Sequence, residues 1–191
     1  MTETRGYHHG DLRRALLTAA VRVIEESGPA ALSLRDLARR AGVSHAAPAH
    51  HFGDKSGLLT ALATEGFDLL AEALDGAGGD LLDRGVAYVD FAVRHRAHFE
   101  VMFRPDLYRP DAENLVAARQ RASDALHSGV AALPEGHRPK AQDPQGDALA
   151  AWSIVHGFAT LWLSGALPSQ VGDDDPRATA RAVARRLFPR R

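Results

Sequence analysis

Apolar residues recur along the chain at intervals of three and four, and the strict alternation of a strand is nearly absent. That pattern predicts helices throughout. The first is expected over 11–27, with Leu12, Leu16, Ala19, Ala20, Val23 and Ile24 on one face and Gly28-Pro29 ending it. A short helix, 34–40, opens at Ser33, whose hydroxyl is suited to cap free backbone N–H groups, with Asp36 near the positive end of the dipole. Gly42, in the tight turn Ala41-Gly42-Val43, takes positive φ cheaply. Ser44 then caps a second short helix, 45–51. Phe52-Gly53-Asp54 breaks it, and Asp54 caps a long helix, 55–74, that turns Leu58, Leu59, Leu62, Ala63, Phe67, Leu70 and Leu74 inward. Further helices are expected over 80–94, 96–104, 111–132, 145–167 and 175–188. The longest connections fall around 133–144 and 168–174. The sum is an all-α fold of about nine helices: a three-helix head over 7–54, a connector helix over 55–74, and a helical bundle over 75–191.

Residues 32–44 read as a helix-turn-helix. Leu34, Leu37 and Ala38 face inward, Gly42 turns the chain, Val43 plugs the core, and Ser44 launches the next helix. A second helix of this kind enters the roughly 12 Å major groove and presents its N-terminal side chains to base edges. The order and spacing of three pieces carry a resemblance to a known family. They are Tyr7-His8-His9-Gly10-Asp11-Leu12-Arg13, Ala41-Gly42-Val43-Ser44, and His51-Phe52-Gly53-Asp54-Lys55-Ser56-Gly57-Leu58-Leu59. Over about residues 7–70 the chain resembles the tetracycline-repressor (TetR) family of transcription regulators. Trp152-Ser153-Ile154-Val155-His156-Gly157 is similar to the Trp–His–Gly element of one C-terminal subfamily.

The resemblance implies a repressor that binds a double-stranded DNA operator as a homodimer and is released by a small-molecule effector. By the same resemblance Ser33, Arg35 and Lys55 hold phosphates, with Ser44 opening the reading helix. His45, Ala46 and Ala47 face bases, and His50 and His51 touch backbone at the far end. The chain departs from the family at Pro48 and Ala49, where a bulky apolar residue and a phosphate-touching Tyr are usual. Proline costs about 3 kcal/mol inside a helix. A later helix start would put Pro48 among the first-turn positions whose N–H has no helical partner.

In the C-terminal half, Phe67, Leu70, Phe91, Phe99, Met102, Phe103, Trp152, His156 and Trp162 are candidates to line an effector cavity, most of them equally suited to plain core. His156 needs a polar partner among such neighbours: a ligand, a water, Ser153 or Thr160. Ser153, Gly157, Thr160 and Ser164 form a stripe of small residues. Ala180, Val183, Ala184 and Leu187 form an apolar stripe on the last helix. Together the two suit a two-fold, four-helix dimer interface.

Composition narrows the alternatives. The net charge is −1, with a small basic excess in the first 56 residues and an acidic one beyond. There is no cysteine, so disulfides, thiolate metal sites and Cys nucleophiles are excluded. The sequence holds no catalytic motif of the Gly-x-Ser-x-Gly or His-Glu-x-x-His kind, and no cofactor is expected. The pairs His8-His9, His50-His51 and His95/His98 are too few in ligands for a metal site. Residues 148–172 carry no Asp, Glu, Lys or Arg, but a polar stripe and acidic flanks favour a buried helix over a membrane span. With no apolar leader behind Met1, a cytoplasmic location is expected. The competing classes are an enzyme and a helical dimer that binds ligands or partners with weakened DNA binding.

Overall fold

A computed structural model describes residues 9–78, 81–131, 144–167 and 175–187. The Tyr7-His8 opening, the two long connections apart from Pro144, and the side chain of Leu187 lie outside the described residues. Among these residues there are nine α-helices and no strand. They are α1 (His9–Ser27), α2 (Leu34–Arg40), α3 (Ala47–Phe52), α4 (Lys55–Gly76), α5 (Leu81–Arg94), α6 (Arg96–Met102), α7 (Glu113–Ala131), α8 (Pro144–Leu163) and α9 (Pro176–Leu187), with a 3-10 turn at Pro29–Ala31. The chain divides into two compact units. One comprises Met1–Thr64 with Ala97–Leu115, the other Glu65–Arg96 with Val116–Arg191.

In the first unit Leu16, Ala20, Leu37, Ala38, Leu58 and Leu62 are wholly buried, and Val23, Ile24, Leu32 and Phe52 nearly so. Each large side chain removed from water this way contributes about 1.5–3 kcal/mol. Leu34 and Val43, expected inside, are only half-buried, because they sit at the two ends of the short α2 rather than on its inner face. The segment after α6 is fixed to α4: the Arg109 N–H donates to Thr60 Oγ1 at 3.0 Å. Tyr108 donates its hydroxyl proton to Met102 O at 2.7 Å.

The second unit is built on α5, which packs against α8 and α9. A Cβ on Gly85 would lie 3.2 Å from Val155 Cγ1, so the glycine permits the close approach of α5 and α8. Arg181 pairs with Asp83 at 2.5 Å and Arg177 with Asp90 at 3.8 Å, holding α9 to α5. Arg84 reaches from α5 to α7 and donates to Ala125 O at 2.6 Å.

α8 stops at Leu163, short of the expected 167. Gly165 takes φ +68, its N–H donates to Trp162 O, and the Ala166 N–H donates to Leu161 O, both at 3.0 Å. This glycine-terminated cap satisfies the last carbonyls and leaves Ser164 and Ala166 beyond the helix. Among the described residues no helix is long and apolar enough to cross a membrane.

Candidate nucleic-acid interface

α2 ends in the same kind of cap. Gly42 adopts φ +65, its N–H donates to Arg39 O at 3.2 Å, and the Val43 N–H donates to Ala38 O at 3.0 Å. The chain does not re-enter a helix at Ser44 as expected. Instead the Ala47 N–H closes a turn on Ser44 O at 3.0 Å, and α3 begins at Ala47 with Ala46 at the cap position. Proline explains the shift. A cap at Ser44 would require an N–H from residue 48 to its carbonyl, and Pro48 has none. With the later start Pro48 occupies the second helical position, where no N–H is needed. Its ring is wholly buried and anchors the helix in the head.

That anchoring turns a short polar strip outward. Ser44, His45, Ala46, Ala49 and His50 are exposed, and Ala47 and His51 are half-buried. Phe52 is buried at the end of α3 beneath the Arg13 guanidinium, 5.4 Å from its ring centre.

The phosphate candidates divide. Ser33 has extended backbone and makes no side-chain capping bond; only its carbonyl serves α2, accepting from Leu37 N at 2.9 Å. The expected hydroxyl cap is therefore absent, and the Ser33 side chain stays exposed. Arg35 is exposed and makes no ion pair among the described residues. Lys55 is committed differently: its Nζ donates to Ala30 O at 3.0 Å, tying the start of α4 to the turn after α1. Arg39 and Arg40 clasp Asp36 at 2.6 and 2.9 Å, and Arg40 also reaches Glu26 on α1 at 3.1 Å. Hydrogen bonds from Arg39 and then Arg40 hold the Asp36 carboxyl below its ordinary range.

The α3–α4 corner is set by Asp54 and Gly57. Asp54 Oδ1 accepts from the Gly57 N–H at 2.8 Å, the expected cap of α4, while Oδ2 pairs with Arg109 at 2.8 Å. The Gly57 N–H first, and Arg109 after it, keep this carboxyl low as well. A Cβ at Gly57 would lie 1.9 Å from Phe52 O, so only glycine fits beneath the end of α3.

Known families share this arrangement. A family described as "Tetracyclin repressor-like, C-terminal domain" matches residues 81–187, and one described as "Bacterial regulatory proteins, tetR family" matches residues 16–62. The chain belongs to the TetR family. It is 38% identical over 171 residues to the HTH-type transcriptional regulator BetI of Stenotrophomonas maltophilia, covering 81% of each chain. A solved structure of a protein of unknown function from Rhodococcus sp. RHA1 is 36% identical, with a TM-score of 0.76 over 96% of both chains. The TetR-family regulator PfmR of Thermus thermophilus is 25% identical, with a TM-score of 0.66 over 88% of this chain and 93% of its own. The protein is thus a DNA-binding transcription regulator of the TetR family and not an enzyme.

In the second unit a buried polar group lies where only core was legible. Trp152 Nε1–H donates to Tyr88 Oη at 3.2 Å, and Tyr88 Oη lies 2.9 Å from His156 Nδ1. Trp152 can only donate, so the tyrosine proton goes to His156 and fixes the neutral ring with its proton on Nε2. Burial raises the Tyr88 pKa, and partial burial lowers that of His156. The partner of His156 is therefore Tyr88, which sequence reading did not single out. Ser153 instead donates to Leu149 O at 2.7 Å, within its own helix.

The other cavity candidates are divided between the units. Phe67, Leu70 and Phe91 are buried in the second, with the Arg119 guanidinium 5.7 Å from the Phe67 ring centre. Trp152, His156 and Trp162 are half-buried in the same unit. Phe99, Met102 and Phe103 belong to the first unit, where Phe99 and Phe103 meet edge to face at 5.2 Å. Of the stripe on α8, Ser153 and Thr160 are exposed, as is Ser164 beyond the helix end, and a Cβ on Gly157 would enter open space. On α9 Val183 and Ala184 are half-buried, but Ala180 is buried. His95 stacks on Phe91 and His98 is buried. Among the described residues no group of three metal-ligating side chains gathers.

Proposed function

We propose that this TetR-family regulator binds a specific DNA operator as a homodimer and represses transcription until a small-molecule effector releases it. The carrying observation is the exposed strip Ser44, His45, Ala46, Ala49 and His50, held outward by the buried Pro48. His45, Ala46 and Ala47 are the base-reading residues, and an alanine methyl there suits contact with a thymine methyl. Ser33 and Arg35, with His50, His51 and a share of Lys55, position the backbone. The head, 7–54, reads DNA, and helix 55–74 connects it to the sensing and dimerising part, 75–191.

Dimerisation through α8 and α9 is supported by unusual apolar exposure on α8, where Leu149 and Leu161 are 57% and 46% exposed beside Ser153 and Thr160. Effector sensing is supported by the hydrogen-bonded group of Trp152, Tyr88 and His156 among Phe67, Leu70, Phe91 and Trp162. Phe99, Met102 and Phe103 complete the candidate lining. A second reading, a ligand-binding dimer with weakened DNA binding, draws on two observations: Ala49 supplies no phosphate donor, and Lys55 is bonded to Ala30 O. Gel-shift competition between the protein's own upstream DNA and random duplex separates the readings. Preferential retention of the upstream fragment at moderate salt supports regulation, and equal competition supports the second reading.

A further inference from the structure

We infer that the DNA grip of this protein is proton-linked: His45 and His50 act as titratable phosphate contacts that strengthen binding as pH falls from 7.5 to 5.5. The inference rests on the DNA-binding reading above and adds a mode of regulation to it.

The argument starts from which cations around α3 are already in use. Arg39 and Arg40 are spent on Asp36 and Glu26, Lys55 donates to Ala30 O, and Arg109 pairs with Asp54. Arg13 lies over the Phe52 ring. On the elements that pack against α3, the remaining charged groups are Arg35 on α2 and Arg14, Arg22 and Glu25 on α1. The strip itself carries no Lys or Arg: Ser44, His45, Ala46, Ala49 and His50 are its exposed members, with His51 half-buried and in edge contact with His50 at 5.7 Å. Neutral imidazole offers a phosphate one N–H. Imidazolium offers a charge as well, and an imidazole titrates near pH 6.5 in the absence of neighbours. Asp36 and Asp54, the carboxylates nearest in sequence to the strip, are held low by their partners and stay ionised throughout this range. The histidines thus change charge in the window while the neighbouring ion pairs do not.

Phosphate contact favours the charged ring, so protons are taken up on binding and affinity rises as pH falls. A histidine stabilised by one pK unit in the complex contributes about fivefold between pH 7.5 and 5.5. Each added phosphate contact also steepens the dependence of log affinity on log salt by about 0.9.

The test is fluorescence anisotropy with the full chain at pH 5.5, 6.5 and 7.5 across a salt series, using a labelled duplex of the upstream DNA and one of random sequence. The expected result is at least tenfold tighter binding at pH 5.5 and a steeper salt slope, with both effects reduced in His45→Gln/His50→Gln. Both residues are exposed, so the double variant retains the fold, which circular dichroism checks. A wild-type affinity independent of pH overturns the inference, and so does a double variant that keeps the full pH effect. Because the random duplex reports phosphate contact alone, proton linkage without preference for upstream DNA would overturn operator specificity and leave this inference standing. Absence of binding to both duplexes at every pH would overturn both.

Discussion

Gly57→Ala separates the geometry of the α3–α4 corner from ordinary helix preference, because the two predict opposite signs. Gly57 lies in the first turn of α4, and helix propensity alone would have alanine stabilise it by up to about 1 kcal/mol. The structure puts the new Cβ 1.9 Å from Phe52 O and 3.1 Å from Phe52 C. A carbon and a carbonyl oxygen rest at about 3.3 Å or more, so the overlap is about 1.4 Å. The obstacle is backbone, so no side-chain rotation relieves it. Either α4 or the end of α3 must move, and Phe52 is buried in the head. Overpacking of this kind costs about 1–3 kcal/mol. For a chain of this size that lowers the melting temperature by about 2–4 °C per kcal/mol. Any relaxation displaces the reading strip, so affinity for DNA falls together with stability. Thermal melts and anisotropy on the same preparations test this, with Gly76→Ala as the control, since a Cβ there meets nothing within 4 Å. A Gly57→Ala protein that melts at or above the wild-type temperature and binds DNA equally well would refute the corner's geometry.

Ser33→Ala should change stability by less than about 0.5 kcal/mol, because its hydroxyl caps nothing, yet lower affinity for all DNA sequences alike; a drop in melting temperature without loss of affinity would reverse its role. Tyr88→Phe leaves Trp152 Nε1 and His156 Nδ1 without their shared partner and should cost about 1–3 kcal/mol in urea unfolding, against near-neutrality if the oxygen were idle. Burial lowers the folded-state pKa of His156, so the stability it contributes is present above the unfolded value and lost as pH falls through the folded one; His156→Gln should flatten the stability profile below about pH 6.5. Gly157→Glu places a charge on the proposed dimer face, and light scattering should report monomers or aggregates, whereas an intact dimer would assign the interface elsewhere.

The helices were legible because their apolar spacing is dictated by burial: Leu16, Ala20, Val23 and Ile24 recur on one face of α1 and all are buried. Local chemistry was legible where it acts within a few residues. Asp54 caps α4 and Gly42 takes positive φ, as their positions in the chain require. Ser33 and Ser44 look equally like caps in sequence, but neither hydroxyl serves as one. Pro48 moves the start of α3 beyond Ser44, and Ser33 meets α2 through its carbonyl alone. Contacts across the fold left no sequence signal. Tyr88 and His156 are 68 residues apart, and the Lys55–Ala30 bond ends on a carbonyl that any residue would present. The Tyr88 side chain could have been noticed only as a polar tip on the otherwise apolar stripe Val86, Val89, Phe91 and Ala92 of α5.

The central claim is that two copies of the exposed strip on α3 read one stretch of DNA together. Hydroxyl-radical footprinting on the protein's own upstream DNA tests it directly. The account predicts protection in two symmetric half-sites whose centres lie about one helical turn, roughly 34–36 Å, apart or a multiple of that, with the pattern shifting or losing contrast in His45→Ala. Uniform protection that follows protein concentration without a preferred site would contradict it.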